Sequence, residues 1–312
     1  MSDTPELVQL QPRRRLPPWI RTRPPGGGEY TRLKELLRRK KLATVCEEAR
    51  CPNVHECWAD GTATVMLLGE ICTRGCRFCA VRTMRRPPAP DPDEPAHLAD
   101  ALSELGLRYV VLTMVDRDDL PDGGADHVAR AVEELARRVP ELLVETLVSD
   151  FRGDRDAIAR VVAARPAVFA HNLETVEALT PSVRDPRCGY AQSLEVLRLA
   201  KELAPERLTK SSLMLGLGET EAQLEASFRD LRGVGVDVLT LGQYLRPTQK
   251  HLPVVEFITP ERFEALAERA RAQGFEYVAA GPLVRSSYRA AELYLHKRLT
   301  QARGHQAEGQ PS

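Results

Sequence analysis

"TATVMLLG" at residues 62–69 runs almost directly into "ICTRGCRFCA" at residues 71–80. The first stretch is short, apolar and rich in β-branched residues, which predicts a strand. The second places Cys72, Cys76 and Cys79 in a C-x3-C-x2-C pattern. Three thiols in so short a loop are too many for one disulfide and one too few for a closed four-cysteine metal site. The pair therefore predicts a strand whose C-terminal end opens into a metal-binding loop.

The pattern downstream extends that reading. Further strand candidates are "YVVLT" (109–113), "LLVETLV" (142–148), "AVFAHN" (167–172), "LTKSSLML" (208–215) and "DVLTLGQY" (237–244). Amphipathic stretches near 95–105, 124–138, 154–164, 191–203, 220–233 and 260–272 predict helices between and after them. Six β-then-α units imply parallel strands with right-handed crossovers. A seventh extended run, "EYVAAGPL" (276–283), follows the last helix. Six units in roughly 210 residues fit an α/β partial TIM-type (β/α)6 barrel, with an open doubly wound sheet as the alternative. In either fold the chemistry gathers at the strand C-terminal ends, where the cysteine loop lies. The expected division is an N-terminal extension over 1–61, the barrel over 62–283 and a C-terminal extension over 284–312.

Composition narrows the function. The chain of 312 residues is 43% hydrophobic and 28% charged, with 44 basic and 44 acidic residues. A zero net charge does not indicate nucleic-acid binding. No apolar run is long enough to span a bilayer. The N-terminus lacks the pattern of a secretory signal, so a cytoplasmic protein is expected. Residues 1–29 are rich in Pro and Gly, and "YTRLKELLRRKKLAT" (30–44) predicts a helix with one leucine face.

Six of the seven cysteines lie between 46 and 79. That crowding is a poor way to staple a large domain and points to metal or redox chemistry. The upstream group is Cys46, Cys51 and Cys57 in "VCEEARCPNVHECW", with His55 inside it as a zinc-ligand alternative. Cys188 stands alone in "RDPRCGY", which reads as an exposed turn, the thiol a buried or free bystander. Thiolate-rich donor sets suit iron–sulfur clusters or zinc. Three thiolates on a four-iron cube leave one iron open to a substrate or cofactor.

C-x3-C-x2-C after the first strand, with Phe78 before the last cysteine, resembles the radical S-adenosylmethionine (SAM) superfamily, in which SAM supplies the fourth ligand. The resemblance narrows with the upstream triplet and with "VDRDDLPDGGA" (115–125), "HNLETV" (171–176), "TKSSLMLGLGET" (209–220), "LTLGQYLRPT" (239–248) and "GPLVRSSY" (281–288). In that order they are similar to the lipoyl synthases. The resemblance implies two 4Fe–4S clusters: a SAM cluster on Cys72, Cys76 and Cys79, and an auxiliary cluster on Cys46, Cys51, Cys57 and Ser287, with Ser286 as the fallback. It implies sulfur insertion at C6 and C8 of a protein-bound octanoyl-lysine chain, with two SAM molecules cleaved and the auxiliary cluster consumed as sulfur donor.

Implied partners are octanoylated lipoyl domains of 2-oxoacid dehydrogenase E2 subunits and the glycine cleavage H protein. A ferredoxin or flavodoxin as electron donor and iron–sulfur assembly proteins are also implied. Expected SAM contacts are Phe78, stacking on or shielding the adenine, Asp116, Glu145 and Asn172, at or near strand ends, and Gly216 and Gly218, which allow close backbone approach. Ser149 departs from the proline common in that family, a change expected to touch no ligand. Alternatives are another sulfur-inserting radical SAM enzyme, or an iron–sulfur electron carrier without enzymatic activity.

Overall fold

The computed structural model describes residues 16–20, 35, 39, 43–44 and 62–287. Its elements are β1 (Ala43–Thr44), β2 (Thr62–Leu67), β3 (Ile71–Cys72), β4 (Arg82–Thr83), α1 (Glu94–Leu105), β5 (Tyr109–Met114), α2 (Ala125–Arg138) and β6 (Leu143–Leu147). Then come α3 (Arg155–Ala163), β7 (Val168–Ala170), α4 (Thr180–Val183), α5 (Tyr190–Leu203), β8 (Leu208–Leu215), α6 (Glu221–Gly233), β9 (Val238–Gln243), α7 (Pro260–Ala272) and β10 (Tyr277–Gly281). The main sheet runs β1-β2-β5-β6-β7-β8-β9-β10. From β2 to β10 every pairing is parallel, and β2 and β10 are not neighbours. Six β/α units followed by a seventh strand make the open, partial barrel expected from the alternation of strand and helix.

One boundary differs. Residues 30–44 were expected to be helical throughout, and Glu35 and Arg39 are. Ala43 and Thr44 instead pair antiparallel with Met66 and Val65. β2 has β5 on its other side, so its free edge offers unpaired backbone groups that a short passing strand satisfies.

Local signals set the helix starts. The Asp154 carboxylate accepts from the Asp156 and Ala157 amides to start α3, and Thr220 with Gln223 forms a capping box on α6. Each such cap contributes about 1 kcal/mol. Packing then divides by face. Outer strand faces and helices form one cluster around Leu112, Phe169 and Ile158, and a second around Leu241, Phe228 and Phe263. Inside the barrel, Tyr109, Val111, Val168 and Leu208 form a smaller apolar layer. Next to Tyr109 sits a buried ion pair: Lys210 Nζ lies 2.7 and 3.0 Å from the Glu145 carboxylate oxygens, and Tyr109 donates to Glu145 Oε2 at 2.5 Å. The rim above, at the strand C-terminal ends, carries the cysteine loop.

Candidate active site

β2 is followed by Leu68 and Gly69, both at positive φ (68° and 85°). The turn is pinned on both sides. The Leu68 amide donates to Glu94 Oε2 at 2.8 Å, and Arg117 Nη1 donates to the Leu68 carbonyl at 3.1 Å. It delivers the 72–79 loop to the rim, where Cys72, Cys76 and Cys79 all line one cavity of about 230 Å³.

Three clamps hold that loop. The first is Arg74, between the first two thiols and only 3% exposed. Its guanidinium forks onto Asp118 at 2.9 and 2.7 Å and onto Asp150 at 2.7 and 2.8 Å. Asp116 Oδ1 stands 3.3 Å from Nη1. Asp116 and Asp118 follow β5 and Asp150 follows β6, so one planar cation ties the loop to two strand ends. The second clamp is Asp185, which accepts from the Gly75 amide at 2.8 Å and donates its own amide to Cys76 Sγ at 3.4 Å. Arg187 braces it and donates to the Thr73 carbonyl at 2.8 Å. The third comes from the segment between β9 and α7. The Leu252 amide donates to the Arg77 carbonyl at 3.2 Å, and His251 Nε2 donates to the Cys79 carbonyl at 2.9 Å. That bond leaves His251 Nδ1 to accept from Thr248 Oγ1 at 2.9 Å.

The remaining wall is mixed in charge. Asp116 and Glu174 supply carboxylates, Arg184 a guanidinium, and Asn172, Ser149 and Ser286 neutral polar groups. Burial pushes Asp116 up to about 6 against the pull of Arg74, and burial also raises Glu174. His171 is pushed down to about 4 by burial and then by Arg184. Its Nδ1 donates to the Val148 carbonyl at 2.9 Å, so Nε2 accepts from Ser193. Burial, with the Asp116 carboxylate adding to it, pushes the Cys72 thiol up to about 12, and burial raises Cys79. Without metal these thiols hold their protons, so ligation must release them. The donor set fits an iron–sulfur cube: three soft ligands share a cavity.

The expected residues separate into three groups. Cys72, Cys76, Cys79, Phe78, Asp116 and Asn172 meet at the cavity. Glu145, Gly216 and Gly218 do not line it. Glu145 is committed to Lys210 and Tyr109 inside the barrel. Gly216, at φ 95°, is needed for a chain crossing: a β-carbon there would lie 2.3 Å from the Glu256 carbonyl oxygen. Cys46, Cys51, Cys57 and His55 lie outside the described residues.

At the C-terminal motif, Ser286 lines the cavity and Ser287 is the half-buried residue beside it. The approach depends on Gly242, where a β-carbon would lie 2.1 Å from the Val284 carbonyl oxygen, and on Arg285, which donates to the Gln243 carbonyl at 2.8 Å.

Cys188 takes the buried form of the bystander reading, and the turn around it is only partly exposed. Cys188 is 5% exposed, its sulfur 4.0 Å from Cys76 Sγ and 3.3 Å from Arg74 Nη1. Ser149 lies on the wall. Arg74, Asp150, Glu174 and Arg184 went unnoticed in the sequence; the first three sit in the cysteine loop or shortly after a strand end, which is the signal that marks them, while Arg184 follows α4 and carries no such signal.

Comparison with known proteins matches the geometry. Residues 66–231 match the radical SAM superfamily, and residues 4–51 match the N-terminal domain of lipoyl synthase of that family. A lipoyl synthase of Anaeromyxobacter sp. (strain Fw109-5) is 59% identical over 91% of this chain and 97% of its own length. A mitochondrial lipoyl synthase of Aedes aegypti is 56% identical over 91% of this chain and 73% of its own. Among solved structures, the FeFe-hydrogenase maturase HydG of Carboxydothermus hydrogenoformans aligns with a TM-score of 0.56 at 14% identity, covering 70% of this chain and 52% of that one. Methylornithine synthase (PylB) aligns at 0.55 and 13%, covering 80% and 74%. Those two likenesses speak to the fold alone. Among the described residues no helix is long and apolar enough to cross a membrane. Superfamily membership implies a 4Fe–4S cluster and SAM, which the three loop thiols and the mixed-charge wall fit. The chain belongs to the lipoyl synthase family of radical SAM sulfurtransferases.

Proposed function

We propose that this protein inserts sulfur at C6 and C8 of an octanoyl-lysine chain carried on a lipoyl domain. When bound, the cluster and SAM supply the radical chemistry that an unactivated CH2 requires and that no side-chain acid or base can perform. The chain's own residues do the rest. Cys72, Cys76 and Cys79 hold the cluster on a loop kept rigid by Arg74, Asp185 and His251. SAM carries an ammonium and a carboxylate, and the wall offers Asp116 and Glu174 for the first and Arg184 for the second. Phe78, packed beside Val183, Leu217 and Tyr244, shields the ligand from water. The observation that carries this reading is the meeting of three thiols with both signs of charge in one cavity at the strand ends.

The auxiliary cluster belongs to the same proposal. Cys46, Cys51, Cys57 and Ser287 hold a second 4Fe–4S cluster, which is the sulfur-donating substrate and is consumed. Ser286 on the cavity wall is the competing serine. On this reading residues 1–61 and 284–312 are extensions that carry that cluster, and 62–283 is the catalytic barrel. Octanoylated E2 and H proteins, a ferredoxin or flavodoxin, and iron–sulfur assembly proteins are the partners. A cytoplasmic location is proposed, with mitochondrial relatives marking the alternative compartment.

The test is anaerobic single turnover of reconstituted protein with dithionite, SAM and an octanoyl-lysyl peptide, read by mass spectrometry. A gain of two sulfurs with loss of four hydrogens is expected. SAM cleavage without sulfur gain, from protein proven to hold both clusters, would overturn the substrate assignment. Ser287→Ala and Ser286→Ala run in parallel decide which serine the auxiliary cluster needs.

A further inference from the structure

We propose that Cys76 and Cys188 form a reversible disulfide in the cluster-free protein, and that this bond keeps Cys76 from taking iron until it is reduced. The second half of the inference rests on the reading of Cys76 as an iron ligand. The first half rests on geometry alone. The two sulfurs lie 4.0 Å apart although 112 residues separate them in the chain. A disulfide needs about 2 Å, so the sulfurs must approach by about 2 Å.

Their backbones are already stapled together. Asp185 receives the Gly75 amide at 2.8 Å, gives its own amide to Cys76 Sγ at 3.4 Å, and receives the Cys188 amide on its carbonyl at 2.8 Å. Arg74 Nη1 donates to Cys188 Sγ at 3.3 Å and orients that sulfur. Both side chains face the same cavity, which admits a small oxidant when it holds no cluster.

The chemistry closes with a peroxide as oxidant. One thiol attacks the O–O bond and becomes a sulfenic acid, releasing a first water. The second sulfur then displaces the hydroxyl, forming the S–S bond and a second water. Two thiols lose two hydrogens and two electrons, and the peroxide is reduced to two waters. A dithiol reverses the step by exchange. A ligand cysteine with no resolving partner proceeds instead to sulfinic acid, which simple thiols do not repair. Cys188 therefore protects the ligand while the site waits for its cluster, at the cost of a reduction step before loading.

The experiment uses the full-length, cluster-free protein beside Cys188→Ala and the closer isostere Cys188→Ser. Each is treated with hydrogen peroxide, alkylated and mapped by peptide mass spectrometry. The wild type is expected to yield a Cys76–Cys188 linked pair two hydrogens lighter than the reduced peptides. Both variants should lack it and accumulate sulfinic acid at Cys76. On anaerobic reconstitution the oxidised wild type should take up about four fewer iron atoms per chain than the reduced protein, one cube's worth. Dithiothreitol should restore them in the wild type and not in the variants. Cys76 joined to Cys72 or Cys79, or Cys188 still fully alkylated after peroxide, would overturn the pairing and leave the ligand reading of Cys76 intact. A Cys76–Cys188 bond with undiminished iron uptake would overturn the gate and that ligand reading together.

Discussion

Two of the buried cations, Lys210 and Arg74, are held differently. Lys210, 1% exposed, faces one carboxylate, Glu145, with Tyr109 completing the acceptor's needs. Arg74, 3% exposed, faces two carboxylates in bidentate contact and a third at 3.3 Å. The first is a closed one-to-one pair that fills space between strands. The second is an overcompensated hub that joins a loop to two strand ends beside the cavity. A flexible ammonium suffices for the former, while the latter needs a planar fork. The contrast separates an ion pair that serves packing from one that serves placement of ligands.

Removing Arg74 should have the largest effect. Arg74→Ala leaves the buried Asp150 without its cation and the half-buried Asp118 with Arg187 alone, at a cost of about 3–5 kcal/mol. Urea unfolding should report that loss, and iron analysis should report about four fewer iron atoms per chain. Arg74→Lys retains charge and loses the fork, so it should recover much of the stability and little of the iron. Equal recovery of both would erase the proposed distinction between the hub and the pair.

Glu145→Ala should cost nearly as much stability, about 3–5 kcal/mol, by leaving Lys210 unpaired. Iron content should stay at the wild-type value, because the pair touches no part of the cysteine loop. Replacing both partners with methionine should bring stability back to within about 1–2 kcal/mol of the wild type. Iron loss in the double variant would show that the barrel interior governs the rim.

His171 sharpens the comparison through pH. Its ordinary value near 6.5 falls to about 4 in the fold. Above 6.5 it is neutral folded and unfolded, and it costs nothing. As pH falls from 6.5 toward 4, the unfolded chain takes a proton that the native site refuses, and stability is lost, about 3 kcal/mol in all. His171→Asn should flatten the fall in urea midpoint between pH 7 and pH 4.5. An unchanged slope would assign that window to another group.

The smallest expected effect is at Gly216. Alanine there meets both a left-handed φ and the Glu256 carbonyl, which predicts a loss of about 2 kcal/mol in unfolding free energy with iron content retained. Loss of SAM affinity at unchanged stability would support the expected ligand contact instead.

Much of the fold is legible in the residues themselves. Short β-branched runs alternating with amphipathic stretches mark the seven strands of the open barrel and the helices between them. Cap residues such as Asp154 and Thr220 explain their starts. The loop thiols are legible because three soft ligands within eight residues have few other uses. Residues 43 and 44 were not legible as a strand, since two residues carry no period and only the free edge of β2 selects them.

What the sequence determines by itself is local: strand and helix periodicity, the cysteine spacing and, through motif order, the family. What the tertiary structure alone decides is partnership at long range. Nothing near Glu145 in the chain says that Lys210, 65 residues on, will claim its carboxylate and keep it from the cavity. Nothing near Cys188 says that its sulfur will meet Cys76 across 112 residues. Local propensity acts over a few residues, whereas the charge or thiol that faces a buried group is set by which strands and loops pack together.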